Sequence, residues 1–167
     1  FTIRDGIVIV KRIVGYVRIS SDDDPRASVN NSIENQKDII TGYVKKNFPD
    51  ASLTFFEDRD ISGYTFTERP GYQQLRRLAI RKEFDILIIK DFSRFSRRNA
   101  LGLVELEFLR DQNLRIISIN DNVDFPSEDD WFKIQLQFLV NELPVVDSSK
   151  KVKAVIKNKQ QAGEWLC

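Results

Sequence analysis

The stretch Gly15-Tyr16-Val17-Arg18-Ile19-Ser20-Ser21 carries the end of a predicted strand, Ile13 to Ile19, into a polar loop. Arg18 and Ser20 are two residues apart, so on an extended strand their side chains point to the same side. A cation beside a hydroxyl at a strand end suits the binding of a phosphate. An isolated R-x-S tripeptide is common, and the alternative for these two residues alone is a solvated strand end.

The composition limits the chemistry that Ser20 can perform. The 167 residues include no histidine, which excludes a Ser-His-Asp triad. If Ser20 reacts, arginines, lysines or carboxylates must surround it, and we expect an anionic substrate. The single cysteine, Cys167, provides no internal disulfide. No apolar run approaches the roughly 18–20 residues of a membrane span, so we expect a cytoplasmic protein without a membrane partner.

The charge is unevenly distributed although the net charge is only +1. Residues 69–97 contain eight basic and three acidic side chains, and residues 120–130 contain five acids and no base. The C-terminal segment is rich in lysine, which suits contacts with nucleic-acid phosphates. A solubilising helix face explains those lysines equally well. The candidates for DNA contacts are Lys150, Lys151, Lys153 and Lys157.

Hydrophobic periodicity predicts an α/β domain, with a mostly parallel central sheet flanked by helices and a long C-terminal helix. Strands are predicted at 13–19, 53–56, 84–90 and 114–119, and helices at 32–46, from 70 through 79, from 99 through 109 and at 131–161. Ile7 to Val10 is either an added edge strand or an ordered chain end. Ser93 to Arg98 is predicted as a basic turn, and Asn120 to Asp130 as an acidic loop.

Ligands of parallel sheets bind beyond the carboxyl ends of the strands, so the loops leaving the four strands are expected to converge. Those loops contain four arginines, Arg18, Arg69, Arg94 and Arg97. Arginine recognises phosphate bidentately and stays charged. Several guanidinium groups around one hydroxyl would stabilise a pentacoordinate phosphorane dianion. For Arg94 and Arg97, a pair of ordinary surface charges is an equally open alternative.

Five motifs resemble the catalytic domain of serine site-specific recombinases, the resolvase/invertase family. They are G-Y-V-R-I-S at 15–20, S-I-E-N-Q at 32–36, D-R-D-I-S-G at 58–63, E-R-P-G-Y at 68–72 and K-D-F-S-R-F-S-R-R-N at 90–99. The segment N-E-L-P-V-V-D-S-S-K-K-V-K at 141–153 resembles the large-recombinase version, and the resemblance covers residues 13–165.

The resemblance implies DNA strand breakage and rejoining through a 5′-phosphoserine link, with release of a 3′-hydroxyl. Ser20 would be the nucleophile, and Ser21 is its rival. Gln36 would organise the site from the first helix. The residues implied around the scissile phosphate are Arg18, Arg69, Arg94 and Arg97.

The resemblance also implies partners and domain organisation. Double-stranded DNA would be the substrate, with self-association as a dimer and a synaptic tetramer and with neither metal nor other cofactor. Residues 1–130 would form a resolvase-like catalytic core, and 131–167 a long helix for oligomerisation and connection to a DNA-binding region. Ser93 stands where small resolvases usually have aspartate, which points to the large class. Pro144 predicts a kink or break near Leu143.

Two alternatives remain open. The first is a Mg²⁺-dependent phosphotransferase or nuclease, with a phosphoacceptor domain built on Asp91 as a weaker version. Its candidate ligands are Asp22, Asp23, Asp24, Asp58, Asp60 and Asp91. The second is a non-catalytic, DNA-bound dimerisation module, against which the intact Ser20 and the four arginines argue.

Overall fold

The computed structural model describes residues 3–4, 7–8, 10–19, 32–59, 65–96, 99–126, 130–136 and 139. Its seven strands are β1 (Ile3–Arg4), β2 (Ile7–Val8), β3 (Arg12–Arg18), β4 (Ser52–Asp58), β5 (Ile86–Ile89), β6 (Arg115–Ser118) and β7 (Val123–Phe125). Five of them form the central sheet in the order β4-β3-β5-β6-β7. β4, β3, β5 and β6 are parallel, and β7 is antiparallel to β6. The predicted α/β class with a mostly parallel sheet is confirmed.

Of the two possibilities left open for the segment from Ile7, residues 7–8 form a strand, which pairs with β1 in a two-stranded sheet separate from the central one. One loop prediction needs correction. The predicted acidic loop at 120–130 contains β7. Val123 and Phe125 are buried and alternate with the exposed Asp124, which is the strand period. The alternation covers only three residues of a segment that contains five acids, so the composition of the segment indicated a loop instead of a strand.

Four helices lie between the strands: α1 (Ile33–Asn47), α2 (Pro70–Ile80), α3 (Phe92–Phe95) and α4 (Asn99–Asp111). The signals at two helix starts are confirmed, since Ser32 Oγ accepts from the Asn35 N–H at 3.1 Å and Pro70 opens α2. The predicted turn at 93–98 is wrong in its first half, which lies in α3. Residues 130–136 and 139 are helical, and the rest of the predicted C-terminal helix, with Pro144, lies outside the described residues.

The helices cover both faces of the sheet. On one face, Ile13 and Val17 of β3 pack with Ile40 and Val44 of α1. On the other, side chains of β3 pack with those of α2, α4 and the helix at 130–136, with members Val14, Tyr16, Leu75, Leu106, Leu109 and Ile134. All four residues of β5 are buried, as an apolar run in a parallel sheet predicts. Within the described part of the chain, no helix has both the length and the apolarity that crossing a membrane requires.

The strand order determines where a ligand can approach. β3 lies between β4 and β5, so the chain leaves it toward one side and later returns on the other. In open α/β sheets this reversal leaves a crevice beyond the carboxyl ends of the two central strands. Arg18 ends β3, and Lys90 and Asp91 follow β5, so the crevice is bounded by two of the predicted motifs.

Candidate active site

Three of the four predicted arginines meet at the four-residue helix α3. Arg18, at the end of β3, donates from Nε to the Arg94 carbonyl at 3.1 Å and from Nη2 to the Ser93 carbonyl at 3.2 Å. Arg69, just before α2, donates from Nη1 to the Phe95 carbonyl at 2.5 Å. Arg94 itself belongs to α3 and is buried. The site is therefore organised around this one helical turn.

A helix of one turn cannot form by its own hydrogen bonds and needs tertiary support. Phe92 and Phe95 provide part of it, because both side chains are fully buried in the core. Asp91 caps the N-terminus, accepting from the Arg94 N–H and the Ser93 hydroxyl. The arginine donors satisfy the carbonyls at the other end, which otherwise lack helical partners. This arrangement of charges also complements the helix dipole.

Gln36 holds the end of β3 from α1. Its Oε1 accepts from the Arg18 N–H at 3.1 Å, and its Nε2 donates to the Arg18 carbonyl at 3.0 Å. The amide therefore pairs with Arg18 as another strand would. Both residues are fully buried, so the N–H and carbonyl groups of Arg18 have no access to water, and the Gln36 amide takes its place as their hydrogen-bond partner.

Asp58 positions Arg69 through the start of α2. Its carboxylate, at the end of β4, accepts from the Gly71 N–H at 2.8 Å, the Tyr72 N–H at 3.0 Å and the Tyr16 hydroxyl at 2.9 Å. Arg69 is the residue that directly precedes this helix. An anion at a helix N-terminus is favourable, so Asp58 joins β3, β4 and α2 at the site.

Tyr16 links the same carboxylate to Arg69. Burial raises the pKa of the Tyr16 phenol above its ordinary value, with the neighbouring Arg69 acting in the opposite direction. Tyr16 thus stays a neutral hydroxyl that donates to Asp58. The Arg69 guanidinium also lies over the Phe66 ring, 4.6 Å from its centroid, which fixes its plane.

Two of the carboxylates suggested as magnesium ligands accept hydrogen bonds from protein groups instead. Asp58 accepts three protein hydrogen bonds, and Asp91 caps α3. In the described ranges, no three potential ligand side chains lie together as a metal group. Asp22, Asp23, Asp24 and Asp60 lie outside the described residues.

The structure thus brings together four of the predicted site residues, Arg18, Gln36, Arg69 and Arg94. The Arg18 guanidinium is fully buried and binds backbone carbonyls, so its predicted contact with a phosphate stays a prediction. Ser20, Ser21, Arg97 and the lysines Lys150, Lys151, Lys153 and Lys157 lie outside the described residues.

The sequence assigned no positioning role to Tyr16 or Asp58. The placement of Tyr16 near the site could have been predicted, because it lies two residues before Arg18 and therefore on the same face of β3. The role of Asp58 depends on contacts 13 to 42 residues away and has no local signature.

The fold is thus a mostly parallel α/β sheet with arginines gathered beyond the carboxyl ends of its central strands, where ligands of such sheets bind. The family model "Resolvase, N terminal domain" matches residues 13–165. The chain belongs to this family. It is a serine recombinase catalytic domain, of the class that breaks and rejoins DNA strands in site-specific recombination. DNA is the substrate of this class, whose members act as oligomers.

Solved structures share the fold. The N-terminal catalytic domain of TP901-1 integrase is 24% identical, with a TM-score of 0.63, over 80% of this chain and 96% of that one. A resolvase family site-specific recombinase from Streptococcus pneumoniae is 20% identical, with a TM-score of 0.58, over 92% and 99%. The C-terminal catalytic domain of ISC1926 TnpA, an IS607-like serine recombinase, is 22% identical, with a TM-score of 0.54, over 92% and 99%. No curated protein sequence matches the chain significantly.

Proposed function

We propose that Ser20 attacks a DNA phosphodiester and becomes joined to the 5′ end of the cut strand. In this step the Ser20 oxygen forms a bond to phosphorus and loses its proton. The bond from phosphorus to the 3′ oxygen breaks, and that oxygen leaves as a 3′-hydroxyl after taking up a proton. Religation reverses the step, so the energy of the phosphodiester is conserved and no external energy source is needed.

The observation that carries the proposal is the convergence of Arg18, Arg69 and Arg94 on α3, beside the strand that leads to Ser20. These side chains are held before any substrate arrives, so their charges need no reorganisation during the reaction. In a site of low dielectric, a fixed positive charge attracts a developing dianion more strongly than it does in water. Arg97 would add a fourth charge.

Gln36 and Asp58 have supporting roles in this proposal. Gln36 holds the backbone of Arg18, two residues before Ser20. Asp58 holds the start of α2 and therefore Arg69. Neither needs to touch the DNA.

We also propose that the chain acts as a dimer that pairs into a synaptic tetramer, with residues 1–130 as catalytic core and 131–167 as the oligomerising helix. The described part of that helix exposes three large apolar side chains. Phe132 is 68% exposed, Leu136 50% and Leu139 49%, and their spacing puts them on one face. An exposed apolar stripe of this kind is typical of a protein contact.

The DNA contacts would extend beyond the catalytic core. Lys150, Lys151, Lys153 and Lys157 are proposed to follow phosphates where the chain leaves the core, which gives affinity without sequence preference. The similarity to an integrase and to an IS607-like recombinase supports a role on a mobile element, by integration, excision or transposition.

The proposal is tested with the full-length protein on supercoiled DNA that carries its candidate recombination sites. We expect strand cleavage and exchange in excess EDTA at the rate seen in Mg²⁺, because the chemistry uses fixed side-chain charges. Cleavage that occurs only with Mg²⁺ would instead support the carboxylate-dependent nuclease.

A further inference from the structure

The turn between β6 and β7 contacts α3 directly, through Asp121. The Asp121 carboxylate accepts from the Phe92 N–H at 2.8 Å and from the Ser118 hydroxyl at 2.5 Å, both on Oδ2. Phe92 is the first residue of α3, and it is 29 positions away in the chain. This turn belongs to the acidic segment for which the motifs suggest no role.

The turn that carries Asp121 is held by backbone hydrogen bonds. Asn122 adopts a left-handed conformation with φ of 51°, which asparagine tolerates better than most residues, and its N–H donates to the Ile119 carbonyl at 3.3 Å. The turn is also bonded to the end of β5, because the Asn120 N–H donates to the Lys90 carbonyl at 2.8 Å. Asp121 is thus fixed relative to both sheet and helix.

The two ends of α3 are held by different parts of the fold. Asp91 and Asp121 accept from backbone N–H groups at its N-terminus. Arg18 and Arg69 donate to its carbonyls at the other end. A displacement of the first residue of a one-turn helix displaces the whole turn, since no further turn can absorb it.

We propose that Asp121 is a positioning residue for strand cleavage: through Phe92 it fixes the placement of α3 and of the arginines gathered on it. This inference rests on the proposed function, because it assigns the arginines to the reaction. Asp121 itself need not touch the DNA. A displacement of about 1 Å at catalytic groups is sufficient to slow an enzyme about a hundredfold.

Three substitutions separate this role from general stability and from charge. Asp121→Ala removes the oxygen that accepts both hydrogen bonds, whereas Asp121→Asn keeps a carbonyl oxygen for Phe92 and Ser118. Asp124→Ala is the matched control, because Asp124 carries the same charge in the same segment but pairs with the half-buried Arg115 instead of α3.

The measurement is the single-turnover rate of covalent adduct formation by the full-length protein at saturating DNA, with melting curves in parallel. We expect Asp121→Ala to lose about tenfold to a hundredfold in rate. Asp121→Asn and Asp124→Ala should stay within about threefold of the wild type, since a neutral acceptor still serves Phe92. A wild-type rate in Asp121→Ala, or an equal loss in Asp121→Asn, overturns the proposal.

A second measurement is independent of activity. Hydrogen exchange at the Phe92 amide should quicken about tenfold or more in Asp121→Ala and stay slow in Asp121→Asn. If Asp121→Ala does not fold, Asp121→Glu replaces it, since the extra methylene displaces the carboxylate and the same losses are expected. Unchanged Phe92 exchange in that variant overturns the proposal. If the wild type forms no adduct, the proposed function fails while the exchange measurement still tests Asp121.

Discussion

The side-chain amide of Gln36 forms two hydrogen bonds with the backbone of Arg18, one donated and one accepted. This pairing extends the end of β3 beyond Tyr16, the last residue of β3 that is in register with β5. It connects α1 to Arg18, whose side chain in turn donates to backbone carbonyls of α3.

Gln36→Ala should therefore destabilise the fold and slow cleavage together. It leaves a buried N–H and a buried carbonyl of Arg18 without this partner, at an expected cost of about 1–3 kcal/mol in the free energy of unfolding. Urea denaturation measures that cost. Gln135→Ala, at an exposed position of the C-terminal helix, is the control and should change it by less than about 0.5 kcal/mol. Equal stability of the two variants would show that the amide pairing is unimportant.

Gly71 allows α2 to approach the end of β4, and Gly42 has no such role. A Cβ at Gly71 would lie 2.4 Å from the Glu57 carbonyl oxygen and 2.9 Å from its carbon, which are backbone atoms. Gly71→Ala should therefore lower the free energy of unfolding by about 1–3 kcal/mol, as overpacking usually does. A Cβ at Gly42, inside α1, meets nothing within 4 Å. Because alanine is more favourable than glycine inside a helix, Gly42→Ala should raise the free energy of unfolding by about 0.5–1 kcal/mol.

The two substitutions should thus change the free energy of unfolding in opposite directions. Both free energies are measured by urea denaturation of the purified variants. Destabilisation by Gly42→Ala, or none by Gly71→Ala, would contradict the packing described at the start of α2.

Much of the sheet was predictable because each parallel strand is a short, nearly continuous apolar run. Ile86 to Ile89 is the clearest case, with every side chain buried. The start of α1 at Ser32 and that of α2 at Pro70 were also predictable, since capping and proline placement are local effects. The arginines were predicted as a cluster, and three of them do converge.

The helix α3 could not be predicted, because much of its support comes from distant residues. Its distant supports are Arg18, Arg69 and Asp121, which lie between 26 and 76 positions away from their partners. The acceptors on α3 are backbone carbonyls, which the sequence does not mark. For the same reason, the sequence suggested phosphate contacts for Arg18 and gave no sign that its donors bind protein.

The pair of Arg12 and Asp85 should make stability depend on acid pH. Burial tends to raise the pKa of Asp85, but the hydrogen bonds and charge of Arg12 outweigh it and hold the pKa below the ordinary 3.8. A carboxyl whose pKa is lower in the folded state stabilises the fold above its unfolded pKa. That contribution is lost as the pH falls through the folded value.

Asp85→Asn should therefore be less stable than the wild type at pH 7, and the difference should shrink as the pH falls below 3.8. Denaturation at a series of pH values measures it. Asp50→Asn, at an exposed turn after α1, should change the free energy of unfolding by less than about 0.5 kcal/mol at pH 7. If the difference in free energy of unfolding between the wild type and Asp85→Asn grows as the pH falls, the pKa of Asp85 is not lowered in the folded state.

The apolar stripe on the C-terminal helix should control self-association. Replacing Phe132 and Leu136 by Glu puts two charges on the exposed face, so a contact that buries it should weaken by at least about tenfold. Sedimentation velocity over a range of concentrations measures the change in the full-length protein. Ile80→Glu is the control, because Ile80 is also an exposed apolar residue, at 53%, but lies on a different helix, at the end of α2. Association that is insensitive to the double substitution would contradict the proposed interface.

The most direct test of the account is whether DNA becomes attached to Ser20. The full-length protein is incubated in EDTA with supercoiled DNA carrying its candidate sites, the reaction is stopped with detergent, and protein on 5′ ends is measured. The wild type and Ser21→Ala should form the adduct, and Ser20→Ala should form none. An adduct that persists in Ser20→Ala, or cleavage that leaves no covalent protein, would contradict the proposed serine chemistry.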